Sequence, residues 1–418
     1  MGSPIFNEPY PSIVAFDLDG TFWRGWLNEH RIGLKGMVSN DLRDNLAVKK
    51  YEGDMIIMDL TNNYIQCIVA SDIIEIIQNL WEHRVAIAIV SRNTNKHLTD
   101  RALWLIKIAI PGYRDAKPFT DLLEYDEVKD VSKMEHFYNI KRASKVNYED
   151  MILFDDKLEN MEVELWQGVT FMKVDSGSGI TWNDYRRGLD QWRRYKAIQF
   201  PIPHFRTGSP KARLIGYVGA DEASAMRYQE GKRRLKSNRP SRWGHGIYVT
   251  DNPHVAKFFA EWGRKDNPQN QYIVPIFTRD WNTFERLGKV WVPEYGTFDQ
   301  IDNLNQAEEK TAKHQHRLDK QIMERFNVEK PFILFSRHHW MKNMDFLRRG
   351  TRFNEMVLYP NVQEALFFGE PFAITRVAVD IDEGRWTELK WHLHLRKYNI
   401  GIIPETMGDF IAHNEDMG

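Results

Sequence analysis

The chain has 418 residues, more than one hydrophobic core usually organises, so we expect two or three domains. Hydrophobic residues make up 42% of the chain and charged residues 28%, a composition that excludes a disordered or fibrous protein. The 57 Lys and Arg residues almost balance the 58 Asp and Glu residues, so no overall charge favours binding to nucleic acid or anionic lipid.

The cysteine content and the first residues bear on the compartment. The single cysteine, Cys67, excludes an intramolecular disulfide and fits a reducing compartment, and we expect it to be buried. Met1–Tyr10 lacks the basic flank and apolar run of a signal peptide, and no apolar stretch approaches the ~20 residues that span a bilayer. We therefore expect a cytoplasmic protein with no membrane partner.

Apolar runs and helical apolar spacing alternate over the first 175 residues. Ile13–Phe16 is a short apolar run that ends at Asp-Leu-Asp-Gly, which is typical of a buried strand entering a turn. Ser71–Glu82 has apolar residues at helical spacing and leads directly into the apolar run Val85–Val90. This alternation predicts a doubly wound α/β layer with a parallel sheet. The later members of the series are Met134–Tyr138, Arg142–Val146, Met151–Phe154, Val169–Val174 and a closing helix, Trp182–Lys196.

The composition changes at Phe200–His204, where two prolines favour an extended linker. We place a first domain at 1–199, the linker at 200–204, a second domain at 205–380 and a C-terminal extension at 381–418. Beyond the linker, strands outnumber helices, which predicts an α+β domain with a largely antiparallel sheet. The predicted helices are Asp221–Gln229, His254–Trp262 and an inserted helix within Asp299–Phe326; the predicted strands are Leu214–Val218, Gly246–Thr250, Tyr272–Phe277, Val290–Val292, Phe332–Phe335, Glu355–Tyr359 and Ile374–Val379.

The strongest chemical signal is a pair of carboxylates two residues apart, Asp17 and Asp19, at the end of the first predicted strand. At the carboxyl edge of a parallel sheet, both side chains can reach one crevice. Two anions this close repel each other unless a cation such as Mg²⁺ neutralises them, and such a cation also binds phosphate oxygens. The alternative is an ordinary strand that ends in a turn, since Asp-Gly is common there.

Three further segments favour a phosphate site over a simple turn. Ser91 and Arg92 follow the second apolar run at another strand tip, where a hydroxyl and backbone amides can hold a phosphoryl group. Lys133 can supply a fixed positive charge to the same group. Asp155 and Asp156 follow a third run and supply the acidic pair that a hard divalent cation needs. The candidate metal ligands are therefore Asp17, Asp19, Asp155 and Asp156.

The order Asp-x-Asp-x-Thr, Ser, Lys, Asp-Asp resembles the four motifs of haloacid-dehalogenase-type (HAD) phosphohydrolases. The likeness covers about residues 11–175 and is closest to the small magnesium-dependent phosphatase branch. The segments that carry it are Asp19–Trp23, Ser91–Thr94, Lys133–Phe137 and Leu153–Asp156, followed by Asn160 and Gly168–Thr170.

This resemblance implies a HAD-like, Rossmannoid fold and a role for each motif residue. Asp17 would be the nucleophile that forms an aspartyl-phosphate, and Asp19 the general acid and later the general base. Ser91 and Lys133 would bind the phosphoryl group. The Mg²⁺ ligands that the resemblance implies are Asp17, Asp155 and the main-chain carbonyl of Leu18.

A second set of motifs lies beyond residue 205. Gly244–Asp251 enters a predicted strand through two glycines and carries Tyr248, whose ring offers a flat face to an aromatic ligand. Asn354–Pro360 places Glu355 at the start of a later apolar strand. Each segment alone is typical of an ordinary core strand. Together they resemble the ADP-ribosyltransferase fold of the diphtheria-toxin and poly(ADP-ribose) polymerase type, over about residues 205–375.

That resemblance implies that Tyr248 stacks on the nicotinamide of NAD and that Glu355 bonds a ribose hydroxyl as nicotinamide leaves. Tyr217 is a further cofactor-binding candidate. The family pattern has a histidine where this chain has Val218, and valine can neither donate nor accept a hydrogen bond. An anchor worth about 1–3 kcal/mol is therefore expected to be absent. The expected outcomes are weak NAD binding, an altered NAD orientation or an inactive domain.

The segment Arg227–Arg242 is strongly basic and precedes this predicted cleft. Such a run is usually a solvated face, but Arg233 and Arg234 are candidates for contact with a pyrophosphate, RNA or a phosphoprotein. The sequence as a whole predicts a Mg²⁺-dependent phosphohydrolase joined to an ADP-ribosyltransferase-like domain, acting on a phosphorylated small molecule, protein or RNA end. Two alternatives stay open: a non-enzymatic structural or binding protein that reuses both folds, and an ADP-ribosyltransferase that modifies nucleic acid or protein.

Overall fold

The computed structural model describes residues 8–198, 212–235, 243–262, 264–292, 307–339 and 352–401. The chain divides into two compact units, Met1–Arg193 and Arg194–Gly418. The predicted linker at 200–204 and residues 402–418 of the predicted C-terminal extension lie outside the described residues. Within the described ranges, no helix combines the length and the apolar character that crossing a membrane requires.

The elements that begin within the first unit start with a strand and end with a long helix. In chain order they are β1 (Ile13–Phe16), β2 (Trp23–Gly25), β3 (Leu46–Tyr51), β4 (Asp54–Asp59), β5 (Ile65–Val69), α1 (Ile73–Glu82), β6 (Ala86–Ser91), α2 (Lys96–Leu105), β7 (Lys107–Ile108), β8 (Lys117–Pro118), β9 (Tyr125–Val128), α3 (Lys133–Ser144), β10 (Met151–Asp155), β11 (Thr170–Lys173) and α4 (Trp182–Ala197).

The central sheet of this unit has the strand order β11-β10-β1-β6-β9, and every neighbouring pair is parallel. All residues of β1 and β10 are buried, which explains why their sequences are continuous apolar runs. The order reverses at β1, which has β6 on one side and β10 on the other. The carboxyl ends of these strands therefore border a topological switch point, where such sheets bind ligands. The predicted doubly wound parallel sheet is confirmed.

A second sheet, antiparallel and in the order β2-β5-β4-β3, is inserted between β1 and β6. The strands β3 and β4 of this sheet form a hairpin. Their connection is the pair Glu52 and Gly53, both with positive φ, as a two-residue hairpin turn requires. Glu-Gly is a weaker hairpin signal than Asn-Gly, so the sequence did not reveal this hairpin. Cys67, on β5, is buried as predicted.

The second unit alternates strands and short helices. Its elements are β12 (Leu214–Ala220), α5 (Glu222–Gln229), β13 (Ile247–Thr250), α6 (Pro253–Glu261), β14 (Tyr272–Thr278), α7 (Trp281–Arg286), β15 (Gly288–Val292), α8 (Ala307–Phe326), β16 (Phe332–His339), β17 (Arg352–Leu358), α9 (Pro360–Leu366), β18 (Phe367–Gly369), β19 (Phe372–Ala373) and α10 (Ile374–Asp382).

The sheet of the second unit has the strand order β15-β16-β17-β13-β12-β14-β18, and β19 also pairs with β14. Among the described strands, β15 and β16 form the parallel pair and the other pairs are antiparallel. This agrees with the largely antiparallel sheet that the sequence predicts. The helix predicted within Asp299–Phe326 is α8, and residues 299–306 lie outside the described ranges.

One predicted strand is wrong. Ile374–Val379 forms the first part of helix α10. Its β-branched residues favour a strand by propensity, but Ile374, Val377 and Ile381 fall on one helical face and are buried. They pack with Ala256 and Ala260 of α6 in a small core cluster. The burial of this face outweighs the local strand preference.

Gly188 in α4 gives a test of core packing in the first unit. Alanine usually stabilises a helix interior by about 1 kcal/mol relative to glycine. At Gly188, however, a Cβ would lie 2.6 Å from Cζ of the buried Phe154. We expect overpacking to dominate, so Gly188→Ala should lower the free energy of unfolding by about 1–3 kcal/mol in chemical denaturation. Arg186→Ala, at an exposed position of the same helix, should change it by less than about 0.5 kcal/mol. A Gly188→Ala protein as stable as wild type would contradict this packing.

Candidate active site

The turn after β1 carries Asp17 and Asp19 and is closed by its own backbone. The amide of Gly20 donates to the carbonyl of Trp23 at 2.8 Å. Gly20 has a φ of +82°, and a Cβ at this position would lie 2.7 Å from Oδ2 of Asp156. Glycine therefore permits both the left-handed backbone and the close approach of the Asp156 carboxylate. The Asp-Gly pair in the sequence serves the site as well as the turn.

Three buried carboxylates meet at the carboxyl edge of the central sheet. Asp17 directly follows β1, and Asp155 and Asp156 stand at the end of the neighbouring β10. The parallel register places Phe16 beside Phe154, so the two strands end at the same level. One oxygen of each carboxylate lies within 4.8 Å of the others. The structure thus brings together residues that lie far apart in the sequence.

Lys133, the first residue of α3, is buried in the middle of this group. Its Nζ donates to Oδ1 of Asp17 at 2.5 Å and to the carbonyl of Val90. The same nitrogen lies 3.4 Å from Oδ2 of Asp155. The hydroxyl of Ser132 caps the start of α3, which fixes the point from which the lysine side chain extends. Lys133 therefore places a buried positive charge beside Asp17 and Asp155.

Burial controls the protonation of this group. It raises the pKa of Asp17 despite the opposing charge of Lys133, and it raises the pKa of Asp155 to about 7. Although burial also opposes the charge of Lys133, the carboxylates of Asp17 and Asp155 raise the pKa of its amine. Lys133 thus partly neutralises Asp17 and Asp155, and the group of three carboxylates favours a further cation.

The carboxylates fit a hard divalent cation such as Mg²⁺. Oδ1 of Asp156 is buried and has no hydrogen-bond partner among the described residues, whereas Oδ2 of Asp156 lies 3.1 Å from Nζ of Lys157. The Asp155 carboxylate accepts from the side chain of Asn160 at 2.8 Å and from the amide of Lys157 at 2.7 Å, which orient it. Buried carboxylate oxygens are the ligands that Mg²⁺ prefers. Asp17, Asp155 and Asp156 are the residues that would hold it.

Two further predicted ligands, the Leu18 carbonyl and the Asp19 carboxylate, accept hydrogen bonds within the turn. The Leu18 carbonyl accepts from the amides of Thr21 and Trp23, at 3.2 and 3.1 Å, so both of its lone pairs serve the turn. Asp19 lies outside the group of three carboxylates. Its Oδ1 accepts from Nε1 of Trp23 at 2.7 Å and from the amide of Leu27 at 3.0 Å. These two donors hold the Asp19 carboxylate in its own position in the turn.

Asp19 nevertheless faces the same cleft as the other site residues. Burial raises the pKa of its carboxyl, against the effect of the hydrogen bonds that it accepts. The cleft has a volume of about 710 Å³. Its lining includes Asp17, Asp19, Ser91, Arg92, Lys133 and Asp156.

Ser91 and Arg92 occupy the end of β6, beside β1. Ser91 is buried, and its Oγ accepts from the amide of Asn93 at 3.2 Å. Arg92 is exposed and pairs with Asp130 at 3.2 Å. The structure therefore brings both residues to the cleft where the sequence placed them. The contacts of Trp23 and Asn93 with Asp19 were not predicted, because only the folded turn shows which donors reach the carboxylate.

The predicted cofactor residues of the second unit line a separate cleft of about 550 Å³. Tyr217, Val218, Tyr248 and Glu355 all belong to its lining. They lie on three adjacent strands, because Thr250 of β13 pairs with Tyr217 of β12 and with Glu355 of β17. The sequence motifs thus converge on one concave surface.

Hydrogen bonds fix both tyrosine rings in this cleft. The hydroxyl of Tyr217 donates to the carbonyl of Thr387 at 2.8 Å, and the ring is buried. The hydroxyl of Tyr248 donates to the carbonyl of Gly244 at 2.8 Å and accepts from the amide of Trp243 at 2.9 Å. The ring of Tyr248 is therefore held against the glycine-containing turn that precedes β13.

The two arginines proposed as surface contacts differ in exposure. Arg233 is only 3% exposed, so its side chain is not a surface group of the described fold, and its contact with nucleic acid stays a prediction. The reason is local packing: the next residue, Arg234, binds the side chain of Gln363 through its amide at 2.7 Å. Arg234 is half-buried, donates to the carbonyl of Gly246 at 3.0 Å and lines the cleft of the second unit. This part of the basic segment packs into the fold.

Comparison with known proteins identifies the first unit. Residues 9–195 match the family model described as Acid Phosphatase. A HAD-like hydrolase superfamily protein of Schizosaccharomyces pombe is 32% identical over 167 residues, which are 40% of this chain and 87% of that protein. The chain belongs to the HAD-like hydrolase superfamily.

Other relatives of this HAD-like chain are more distant. A Saccharomyces cerevisiae protein, provisionally named a magnesium-dependent phosphatase, is 26% identical to this chain over 182 residues. These residues are 42% of this chain and 94% of that protein. The crystal structure of the N-terminal part of a Bacteroides fragilis protein, containing a phosphatase domain complexed with Mg, covers 44% of this chain and is 19% identical. The TM-score of that comparison is 0.27, and this chain spans 41% of that chain.

The carboxylate group predicts stabilisation of the protein by Mg²⁺. A ligand at 100 times its Kd stabilises the folded state by about 2.7 kcal/mol, so the unfolding temperature should rise on Mg²⁺ addition and fall with a chelator. Asp156→Asn removes a donor oxygen and should abolish most of this rise in differential scanning fluorimetry. Asp54→Asn, which removes an exposed carboxylate paired with Arg24, should retain it. An equal Mg²⁺ response in both variants would contradict a site at Asp156.

Proposed function

We propose that the first unit is a magnesium-dependent phosphomonoesterase that works through an aspartyl-phosphate. The observation that carries the proposal is the buried group of Asp17, Asp155 and Asp156 around Lys133, open to a cleft at the switch point of the sheet. The match to the Acid Phosphatase model and the name of the Saccharomyces cerevisiae relative support it.

Asp17 is the proposed nucleophile. Bound Mg²⁺ would neutralise carboxylate and phosphate charge at Asp17, Asp155 and Asp156. Lys133 holds Oδ1 of Asp17 and places a positive charge where the anionic phosphoryl group enters, which lowers the repulsion between the two anions. An oxygen of Asp17 attacks phosphorus, and the bond from phosphorus to the leaving oxygen breaks. Ser91 and Arg92 lie at the edge of the same cleft and are the proposed hydrogen-bond donors to the phosphoryl oxygens.

Asp19 is the proposed general acid and base. Its carboxyl faces the cleft, and burial raises its pKa, which favours the protonated form that the first step needs. In the first step Asp19 gives its proton to the leaving oxygen. In the second step the Asp19 carboxylate takes a proton from a water molecule, which attacks phosphorus and releases phosphate from Asp17. The two steps restore both aspartates.

The proposed substrate is a phosphate monoester of a small molecule, a protein or an RNA end. Trp26, which is 58% exposed, lines the same cleft as Asp19. Lys157 adds exposed positive charge to the same opening. Trp26 and Lys157 are the proposed first contacts for the part of the substrate beyond its phosphate.

Asp17→Asn tests the proposed chemistry directly. An amide cannot form the acyl phosphate, so phosphate release from 4-nitrophenyl phosphate with Mg²⁺ should fall by about a thousandfold or more. Rapid acid quench should trap a phosphorylated wild-type protein, detected by its mass, and none in the variant. Asp54 does not line the cleft and has no role in the proposed mechanism, so Asp54→Asn should retain wild-type turnover. Equal phosphate release by Asp17→Asn would refute the proposal.

For the second unit we propose an ADP-ribosyltransferase-like domain whose cleft binds NAD. The convergence of Tyr217, Tyr248 and Glu355 on one cleft supports it, because an aromatic face and a carboxylate are the groups that the resemblance assigns to nicotinamide and ribose. Val218 lies in the same lining, where the family pattern has a histidine. We therefore propose weak NAD binding and leave transfer to a nucleic acid or protein acceptor as the less favoured activity.

Two variants of Tyr248 separate ring stacking from the hydroxyl contacts. Tyr248→Phe keeps the flat ring and should retain NAD binding, although it loses the bonds to Gly244 and Trp243. Tyr248→Ala removes the ring and should weaken NAD binding by about tenfold, as expected for an aromatic contact worth about 1–1.5 kcal/mol. Saturation-transfer NMR with titrated NAD measures both. Equal NAD binding by wild type and Tyr248→Ala would contradict the proposed site.

A further inference from the structure

The two oxygens of the Asp19 carboxylate have different surroundings. Oδ1 accepts from Nε1 of Trp23 at 2.7 Å and from the amide of Leu27 at 3.0 Å, so its two lone pairs are engaged. Oδ2 has a long contact of 3.4 Å with the side chain of Asn93, whose Nδ2 makes a shorter bond of 3.0 Å to the carbonyl of Leu27. Oδ2 is therefore the oxygen that is left for the substrate.

Trp23 is held rigidly enough to orient this carboxylate. Its side chain is fully buried, and its ring meets the ring of Phe22 edge to face, with centroids 5.8 Å apart. Its amide donates to the carbonyl of Leu18, and its backbone pairs with Val69 in the inserted sheet. These contacts fix the orientation of the indole, so that its N–H points at Oδ1 of Asp19.

We propose that Trp23 is a positioning residue for the acid–base step, which keeps Oδ1 of Asp19 bound so that Oδ2 exchanges the proton. This inference rests on the proposed phosphatase function. As the bond from an oxygen of Asp17 to phosphorus forms, the bond from phosphorus to the leaving oxygen breaks. The proton on Oδ2 moves to that leaving oxygen, and Asp19 is left as a carboxylate. The indole N–H and the Leu27 amide then stabilise the negative charge on this carboxylate.

Such a role has a signature in the dependence of rate on the leaving group. A weakly basic leaving group, such as 4-nitrophenolate, departs with little help from an acid. A more basic one, such as unsubstituted phenolate or an alkoxide, needs the proton from Asp19. Loss of correct orientation at Asp19 should therefore slow the basic leaving groups selectively. A purely structural role of Trp23 would slow all substrates alike.

The experiment compares Trp23→Phe with wild type on a series of substituted phenyl phosphates and one alkyl phosphate, with saturating Mg²⁺. The parameter is kcat/KM, because it reports the steps up to formation of the phosphoenzyme. We expect a fall of about 10- to 100-fold for phenyl and alkyl phosphate, a part of the 10²–10⁴-fold that acid catalysis contributes. For 4-nitrophenyl phosphate we expect a fall of no more than about threefold, since its leaving group needs little protonation.

Trp192→Phe is the matched control. Trp192 is also buried in the first unit, and its Nε1 makes one hydrogen bond, to the carbonyl of Glu149 at 2.9 Å. The substitution removes the same indole N–H from a core position without contact to Asp19. We expect the leaving-group dependence of this control to match wild type.

If Trp23→Phe does not fold, Trp23 is replaced by benzothienylalanine, in which sulfur takes the place of the indole N–H and the shape of the side chain is kept. The same series of leaving groups is then measured. It should show the same selective loss. Equal falls on all leaving groups, or an unchanged series with the isosteric residue, would overturn the role of Trp23. Failure of the proposed function looks different: wild-type protein would then release no phosphate from any substrate, or Asp17→Asn would release as much.

Discussion

The first unit depends on keeping three like charges together in a buried place. Asp17, Asp155 and Asp156 lie within 4.8 Å of one another, and a single lysine is buried among them. Such a group is costly to bury unless positive charge compensates it, because carboxylates without partners lose their hydration. The parallel register of β1 and β10, the glycine at position 20 and the start of α3 each serve this arrangement. They bring the carboxylates close, leave room for them and insert the lysine.

The sequence could reveal much of this arrangement, because parallel strands end at one edge. Apolar runs followed by acidic, hydroxyl or basic residues identify strand tips, and the fold then unites them without further information. Asp17, Ser91 and Asp155 were predicted in this way. The sequence could not reveal how the turn after β1 directs its polar groups. Hydrogen bonds within the turn engage the carbonyl of Leu18 and hold the Asp19 carboxylate toward Trp23 and Leu27.

Other features that the sequence did not reveal have physical causes of the same kind. Arg233 belongs to a charge run that resembles a solvated face, but tertiary packing buries it. Ile374–Val379 has strand propensity, yet its apolar residues are buried as one face of a helix. The β3–β4 hairpin has a turn with a weak sequence signal. In each case local preference was small compared with the free energy of burying or pairing the segment in the complete fold. The convergence of Tyr217, Tyr248 and Glu355 on one cleft shows the opposite situation, since strand pairing alone aligns them.

The inserted antiparallel sheet is not structurally independent of the site at the edge of the central sheet. Its first strand, β2, begins at Trp23, so one residue belongs to the ladder with β5 and also donates a hydrogen bond to the Asp19 carboxylate. The hairpin of β3 and β4 lies at the other end of this sheet, so its sequence can vary without moving the Asp19 carboxylate. A change in the angle or register of β2, in contrast, moves Trp23 and with it the hydrogen bond to Asp19. If this insertion were replaced by that of a relative, residues 19–27 would have to be kept with the central sheet, and the replacement would have to begin after residue 27.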